Sequence, residues 1–269
     1  MNKLYGQFDS NKAQKDQPFI VLSAIFLTNA ILAEIIGVKI FSLESTMGLP
    51  AAGLDFFGQF VLDFNLTAGA VIWPMVFITT DVINEYFGKK GVKKISFLTA
   101  FLISYIFLVI YLVTRLSPAP FWLELNSFDA SGHPFDIDYA FKTIFRQGLG
   151  IIIGSLTAFL IAQLLDVYIF QRLRHLTGKR MIWLRATGST LVSQLIDSFV
   201  VLGIAFYLFG NWSLKLVVAV GTVNYIYKFV VAILLTPLLY VAHFFIDRYL
   251  GRDVADKMAE QAGEDQSIF

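Results

Sequence analysis

Asp81, Asn84 and Glu85 fall at i, i+3 and i+4 inside an apolar stretch, so a helix there presents all three on one face. Gln163 with Asp166, and Gln194 with Asp197, repeat a single pattern in two later apolar stretches: an amide, then a carboxylate three residues on. A fourth stretch adds Asn224, Tyr225 and Lys228, with residues 224 and 228 on one face. A charged side chain near the centre of a bilayer costs about 2.5–3.5 kcal/mol even on a lenient scale. Several carboxylates at that depth therefore point to a site for something polar: a bound cation, transferred protons, or a ligand that presents hydrogen-bond donors.

A guanine-like edge is one such ligand. Its ring N–H and exocyclic amine match a single carboxylate, and its carbonyl needs a donor such as Asn, Gln or Lys. Its flat ring would also use aromatic faces, and Phe77, Tyr86, Phe87 and Tyr225 are close in sequence. Spacing alone does not choose among these ligands. Lys228 is the only basic residue deep in any of the last five apolar stretches, so it can neutralise one carboxylate but not four.

The elements that must hold these groups are membrane helices. The chain is 57% hydrophobic, 16% aromatic and 15% charged, with a mean hydropathy of +0.67. That is the composition of a polytopic, all-α membrane protein whose first partner is the lipid bilayer. A spanning helix needs about 20 apolar residues. Six stretches qualify, near 18–40, 66–87, 94–116, 148–170, 186–209 and 216–245. They form one domain over 18–247, between a polar tail at 1–17 and another at 248–269, both expected to be mobile. The Lys and Arg residues of alternate connections number 15 against 3, which predicts a cytoplasmic location for both tails. The 41–65 connection reads as a loop or short re-entrant piece, and the aromatic 117–147 connection as a segment lying at the membrane interface.

On these spans, rise-per-residue arithmetic places Asp81, Gln163, Gln194 and Asp197 in one mid-membrane layer. It puts Glu85 and Asp166 about a turn nearer the cytosolic edge, where basic loops can pair with them. The small-residue pairs Ala33/Gly37 and Gly150/Gly154 predict close helix packing, and Pro237 predicts a kink in the last span.

The run DVINEYFGKK, Asp81 to Lys90, resembles the central motif of the queuosine-precursor transporter family, a vitamin-uptake-like family of six-helix membrane proteins. Residues 163–174, Ser189 to Ser198 and Asn224 to Phe229 resemble further stretches of that family in the same order, and the similarity spans about residues 20–245. Asn224 stands where some members carry Asp. The resemblance implies import of 7-cyano-7-deazaguanine, 7-aminomethyl-7-deazaguanine or queuine across a bacterial inner membrane, for salvage into tRNA. It also implies a fold similar to the substrate-binding component of energy-coupling-factor transporters. On that reading Asp81 and Asp197 hold the donor edge of the ligand. Asn84, Gln163, Gln194 and Asn224 meet its other polar groups, and Lys228 meets its carbonyl or acts as a counter-ion.

The rival readings are a substrate-capturing subunit driven by a separate ATPase and an intramembrane enzyme. No P-loop pattern is present, which suits a transporter of either kind. An enzyme would need a nucleophile with a base, or a metal set, at one depth. Cysteine is absent and His133, His175 and His243 are scattered, so no metal or other cofactor is expected. Nothing favours nucleic-acid binding, and a homo-oligomer is compatible with the sequence.

Overall fold

A computed structural model describes the backbone of residues 2–178 and 181–264 and the side chains of 16–178 and 181–263. Helix α1 (Asn2–Ile36) leads into a small layer of β1 (Ile40–Ser42), α2 (Leu43–Met47), β2 (Leu54–Phe56), β3 (Phe60–Leu62) and β4 (Asn65–Thr67). A 3-10 turn (Ala68–Val71) then opens the long helix α3 (Trp73–Val113). Two short helices follow, α4 (Pro120–Leu125) and α5 (Ile137–Phe145), and then α6 (Leu149–Thr177). Helix α7 (Ile182–Leu202) ends in a widened π-helical segment (Gly203–Leu208), and α8 (Leu214–Leu250) is followed by α9 (Arg252–Glu264).

Among the described residues, five helices are long and apolar enough to cross a membrane: 16–36, 73–113, 137–177, 182–208 and 214–250. Six were expected from the sequence. The difference lies in α3, which takes in the expected second and third spans. As one straight helix its 41 residues would measure about 62 Å, twice a hydrocarbon core of about 30 Å. It is not straight. Gly88 has φ 66 and ψ −172, a conformation open to glycine, and this breaks the helix into arms 73–87 and 89–113. Val76 and Ile83 of the first arm share one apolar cluster with Val92 and Ile95 of the second. Phe26 and Ala30 of α1 and Phe159 and Val167 of α6 complete that cluster, so the two arms, α1 and α6 form one packed unit.

The 40–67 segment departs from the all-α expectation. It forms two antiparallel pairs, β1 with β4 and β2 with β3. Phe57 and Gly58, both at positive φ, make the turn that joins β2 to β3. Glu44 ties this layer together by accepting the Phe64 N–H at 2.7 Å and the Ser42 hydroxyl at 3.2 Å. Those donors hold its carboxyl below the usual glutamate range.

Small residues do the close packing. An added Cβ on Gly154 would sit 3.1 Å from Ala205, and one on Gly69 would sit 2.5 Å from the Ala33 carbonyl oxygen. Helix α8 runs unbroken through Pro237, and its Phe229, Val230, Ile233, Leu234, Leu238 and Phe244 face outward, as lipid contact requires. The expected mobile tail beyond residue 248 is corrected: residues 252–264 form α9, whose Ala255, Met258 and Ala262 are buried. These three recur on one helical face, and the intervening charges hide that stripe in a composition count.

Candidate functional site

The first arm of α3 is short, about 22 Å for its fifteen residues, and it points one face at α6 and α7. Trp73, Phe77 and Thr80 on that face meet Phe159, Ala162, Gln163 and Asp166 of α6 and Thr190, Ser193, Gln194 and Asp197 of α7. Together they line a narrow slit whose free space is about 20 Å³, room for about one water. One wall is aromatic. Trp73 stacks on Phe77 with ring centres 5.9 Å apart and planes 18° apart, and Phe159 leans on Trp73 at 5.9 Å.

The rest of the lining is mostly polar. Asp166 accepts the Ser193 hydroxyl at 3.2 Å, beside Thr190, which also lines the slit. Gln163 approaches Thr80 at 3.4 Å, a weak contact, and the Gln194 side-chain oxygen has no partner. Among the described residues no basic group pairs with Asp166. The slit therefore combines flat aromatic surface, an uncompensated carboxylate and two amides with hydrogen-bonding capacity to spare.

Of the ten residues expected at the site, four line this slit: Gln163, Asp166, Gln194 and Asp197. Asp81 does not. It opens into a small adjoining cavity of about 30 Å³ between α3, α7 and α8, separated from the slit by the shared walls Phe77 and Thr190. Its Oδ1 has no hydrogen-bond partner. Asn84, fully buried, accepts Gln171 Nε2 at 2.7 Å and so ties α3 to α6.

Glu85 belongs to a different environment. Arg185 Nη2 reaches its Oε1 at 2.6 Å and Arg174 Nη2 lies 3.5 Å from the same oxygen. Lys228 pairs with Asp197 at 2.5 Å and lines neither cavity. Asn224 and Tyr225 are half-buried, Tyr225 edge-on to Phe229, and neither lines a cavity described here. The single layer drawn from helix rise is thus split: Phe77 and Thr190 stand between Asp81 and the other three.

Three groups escaped the sequence reading. Arg185, 1% exposed, and Arg174 are buried at helix ends, where both approach Glu85. Trp73 lies one turn before Phe77 and two before Asp81, a spacing that could have revealed it. The hydroxyls of Ser189 and Ser193 stand at i and i+4, with Asp197 at i+8, a polar stripe hidden by reading α7 for charges alone. Of the aromatic residues named from sequence, only Phe77 joins the slit; Tyr86 binds Asp247, and Phe87 packs on Phe19.

A family model described as "Putative vitamin uptake transporter" matches residues 67–242, which hold every residue of the slit. The chain belongs to this family. It is a multi-pass membrane transporter rather than an enzyme. Among curated relatives, the "Probable queuosine precursor transporter" of Bacillus subtilis is 33% identical over 182 residues, 66% of this chain and 73% of the relative. That of Haemophilus influenzae is 30% identical over 203 residues, 71% and 72% of the two chains. The "Queuosine precursor transporter" of Escherichia coli is 31% identical over 150 residues, 55% and 58%. No solved structure matches the chain.

Proposed function

We propose that this transporter imports queuosine precursors, 7-cyano-7-deazaguanine, 7-aminomethyl-7-deazaguanine or queuine, across the bacterial inner membrane for salvage into tRNA. The observation that carries the reading is the slit. A 7-deazaguanine is flat and offers two adjacent N–H donors and a carbonyl. The slit offers stacked Trp73 and Phe77, a carboxylate without a cation, and two glutamines. The names of the three relatives agree with it. In this reading Asp166 grips the donor edge, Gln163 and Gln194 meet the remaining polar atoms, and the Lys228–Asp197 pair borders the site. Asp81 takes the ligand as it leaves the slit.

In this reading the break at Gly88 divides α3 into two passes, the first completed by the 3-10 turn before it, so that the molecule has six, with the basic turn at 88–94, the end of α6 and both tails in the cytosol. The fold is then of the kind used by substrate-binding components of vitamin importers. Single cysteines placed at Ser131 and Leu176, both on exposed residues, check the orientation. The first should react with an impermeant maleimide in spheroplasts and the second only after lysis.

The function is tested in a precursor-requiring host that lacks its own importer. With each precursor supplied at nanomolar level, expression of this chain should restore queuosine in tRNA for at least one of them. No restoration with any precursor, at confirmed membrane expression, removes the proposed substrate.

A further inference from the structure

One acidic side chain of the spanning helices has no place in the slit or in the cavity beside it. Glu34 lies two residues from the end of the span 16–36, about 3 Å along the axis, and at the outer face in the orientation proposed above. It is half-buried, and among the described residues no cation pairs with it. Three elements fix its position. Gly69 of the 3-10 turn packs against the Ala33 carbonyl, Gln147 Nε2 donates to the Glu34 backbone carbonyl at 2.9 Å, and the Ser155 hydroxyl of α6 meets the side chain.

The contact with Ser155 shows which form of the carboxyl is present. Ser155 Oγ stands 2.6 Å from Oε1 and 2.6 Å from Oε2. Both separations are those of full O–H···O hydrogen bonds, so two protons are needed among the three oxygens. A serine has one to give, and an ionised carboxylate has none. A protonated carboxyl supplies the second: Ser155 donates to one carboxyl oxygen while the O–H on the other donates back to Ser155 Oγ, which closes a ring. The arrangement is that of a neutral glutamic acid, the form favoured for a carboxyl that is withdrawn from water without a cation.

The charge that acts on Glu34 from a neighbouring helix is that of Asp197 on α7, which lines the slit and is paired with Lys228 of α8 at 2.5 Å. Elsewhere around it, the turn Ala68–Val71 has no titratable side chain, and Asp81, the first charge on α3, stands about 12 Å beyond the start of that helix. Lys39 is exposed, and Arg146, next to Gln147, lies over the ring of Tyr111. A ligand entering the slit changes the surroundings of Asp197 and so alters how firmly Glu34 holds its proton. By linkage, the proton alters how firmly the ligand is held.

We propose that Glu34 is a proton-binding site that couples import to an inward proton gradient, with one proton bound at Glu34 for each ligand in the slit. The proton comes from the outer water and leaves to the cytosol, so no other reactant is needed. The coupling rests on the substrate reading above; the proton site does not.

Two measurements on the full-length protein in lipid test it. The first is infrared difference spectroscopy of the parent against Glu34→Gln at neutral pH, where an ordinary glutamate is ionised. Gln keeps the shape of the neutral acid, accepting from Ser155 and donating back to it, so the variant should fold. The parent should show a carboxylic-acid C=O band that Glu34→Gln lacks, and Ser155→Ala, which leaves Glu34 in place, should shift that band. A carboxylate band in its place, or an acid band unmoved by Ser155→Ala, overturns the proton site whatever the ligand.

The second is uptake of radiolabelled 7-cyano-7-deazaguanine, whose cyano group carries no charge, into proteoliposomes with the membrane potential clamped at zero. With the outside one pH unit more acidic, the parent should accumulate it up to about tenfold, because one proton per ligand is worth a factor of ten for each pH unit. Glu34→Gln should bring it only to equal concentrations on the two sides while still exchanging labelled for unlabelled precursor. Equal concentrations in the parent with exchange intact, or accumulation that follows a sodium gradient instead, overturn the coupling. No exchange by the parent with any of the three precursors overturns the substrate reading, and the infrared band then decides the proton site by itself.

Discussion

The slit and the Glu85 cluster at the basic end of the bundle treat their carboxylates in opposite ways. At the basic end Glu85 sits between two guanidinium groups. In the slit and the cavity next to it, Asp166 and Asp81 face hydroxyls, amides and rings, and among the described residues no basic group pairs with either. A buried charge answered by another buried charge holds helices in register and is hard to remove singly. A buried charge answered only by neutral groups remains available to a ligand. Substitutions in the two regions should therefore fail differently, the first in folding and the second in transport.

The largest effect is expected at Arg185. Arg185→Met leaves buried Glu85 only the longer 3.5 Å approach of Arg174, and breaking such a pair typically costs about 3–5 kcal/mol. Protein level in the membrane and the melting temperature in detergent should both fall sharply. Replacing both members, Glu85→Met with Arg185→Met, should recover much of the stability. A single Arg185→Met variant that accumulates and melts like the parent would erase the distinction between the two regions.

Asp166→Asn should do the reverse. The shape is kept, but one acceptor oxygen becomes a donor aimed at the ligand's own donors, removing charge-assisted hydrogen bonds worth about 1.5–3 kcal/mol. Affinity for the precursor should drop roughly 10- to 150-fold, since 1.4 kcal/mol is a factor of ten, with melting temperature little changed. Parental affinity in folded Asp166→Asn would move the donor edge elsewhere, first of all to Asp81.

Lys228→Met tests the border between the regions, because its partner Asp197 lines the slit while Lys228 does not. Both side chains of that pair remain about a fifth exposed, so water and protonation can compensate for the lost charge. Uptake is expected to fall no more than about threefold, within the modest worth of a partly solvated pair. A loss as large as that of Asp166→Asn would place Lys228 on the ligand.

The sequence shows most of the parts and little of how they are shared out. Period and depth suffice to put Gln163, Asp166, Gln194 and Asp197 together, because all four lie on α6 and α7, two helices packed along each other. They fail for Asp81, since rise along an axis gives depth but not rotation, whereas depth alone puts Glu85 a turn nearer the basic residues that pair with it. One turn of α3 separates a residue beside the slit from one paired with Arg174 and Arg185. Gly88 is visible as a residue of the basic turn, yet its left-handed conformation is a property of the folded chain. Helix α9 is apolar on only one narrow face, so it becomes legible only once there is a bundle for it to close.

The smallest effect should come from the far end of the molecule, where Glu44 joins α2 to the residue before β4 through the Phe64 N–H. That bond and the Ser42 hydroxyl favour the carboxylate, so its acidity in the folded state lies below the ordinary glutamate value. The sign follows from linkage: a depressed carboxylate contributes stability that is fully present above the ordinary value and is lost as pH falls through the depressed one. Amide exchange over residues 40–67 should therefore stay slow at neutral pH and quicken, relative to intrinsic rates, only on strong acidification. Glu44→Gln should show the quickened exchange at neutral pH and no further acid step. Slit affinity should be unchanged in that variant, because Glu44 touches none of the residues that line the slit. A Glu44→Gln protein with altered precursor affinity would show that the β-layer is coupled to the binding region, and the contrast would then have to be drawn among three regions instead of two.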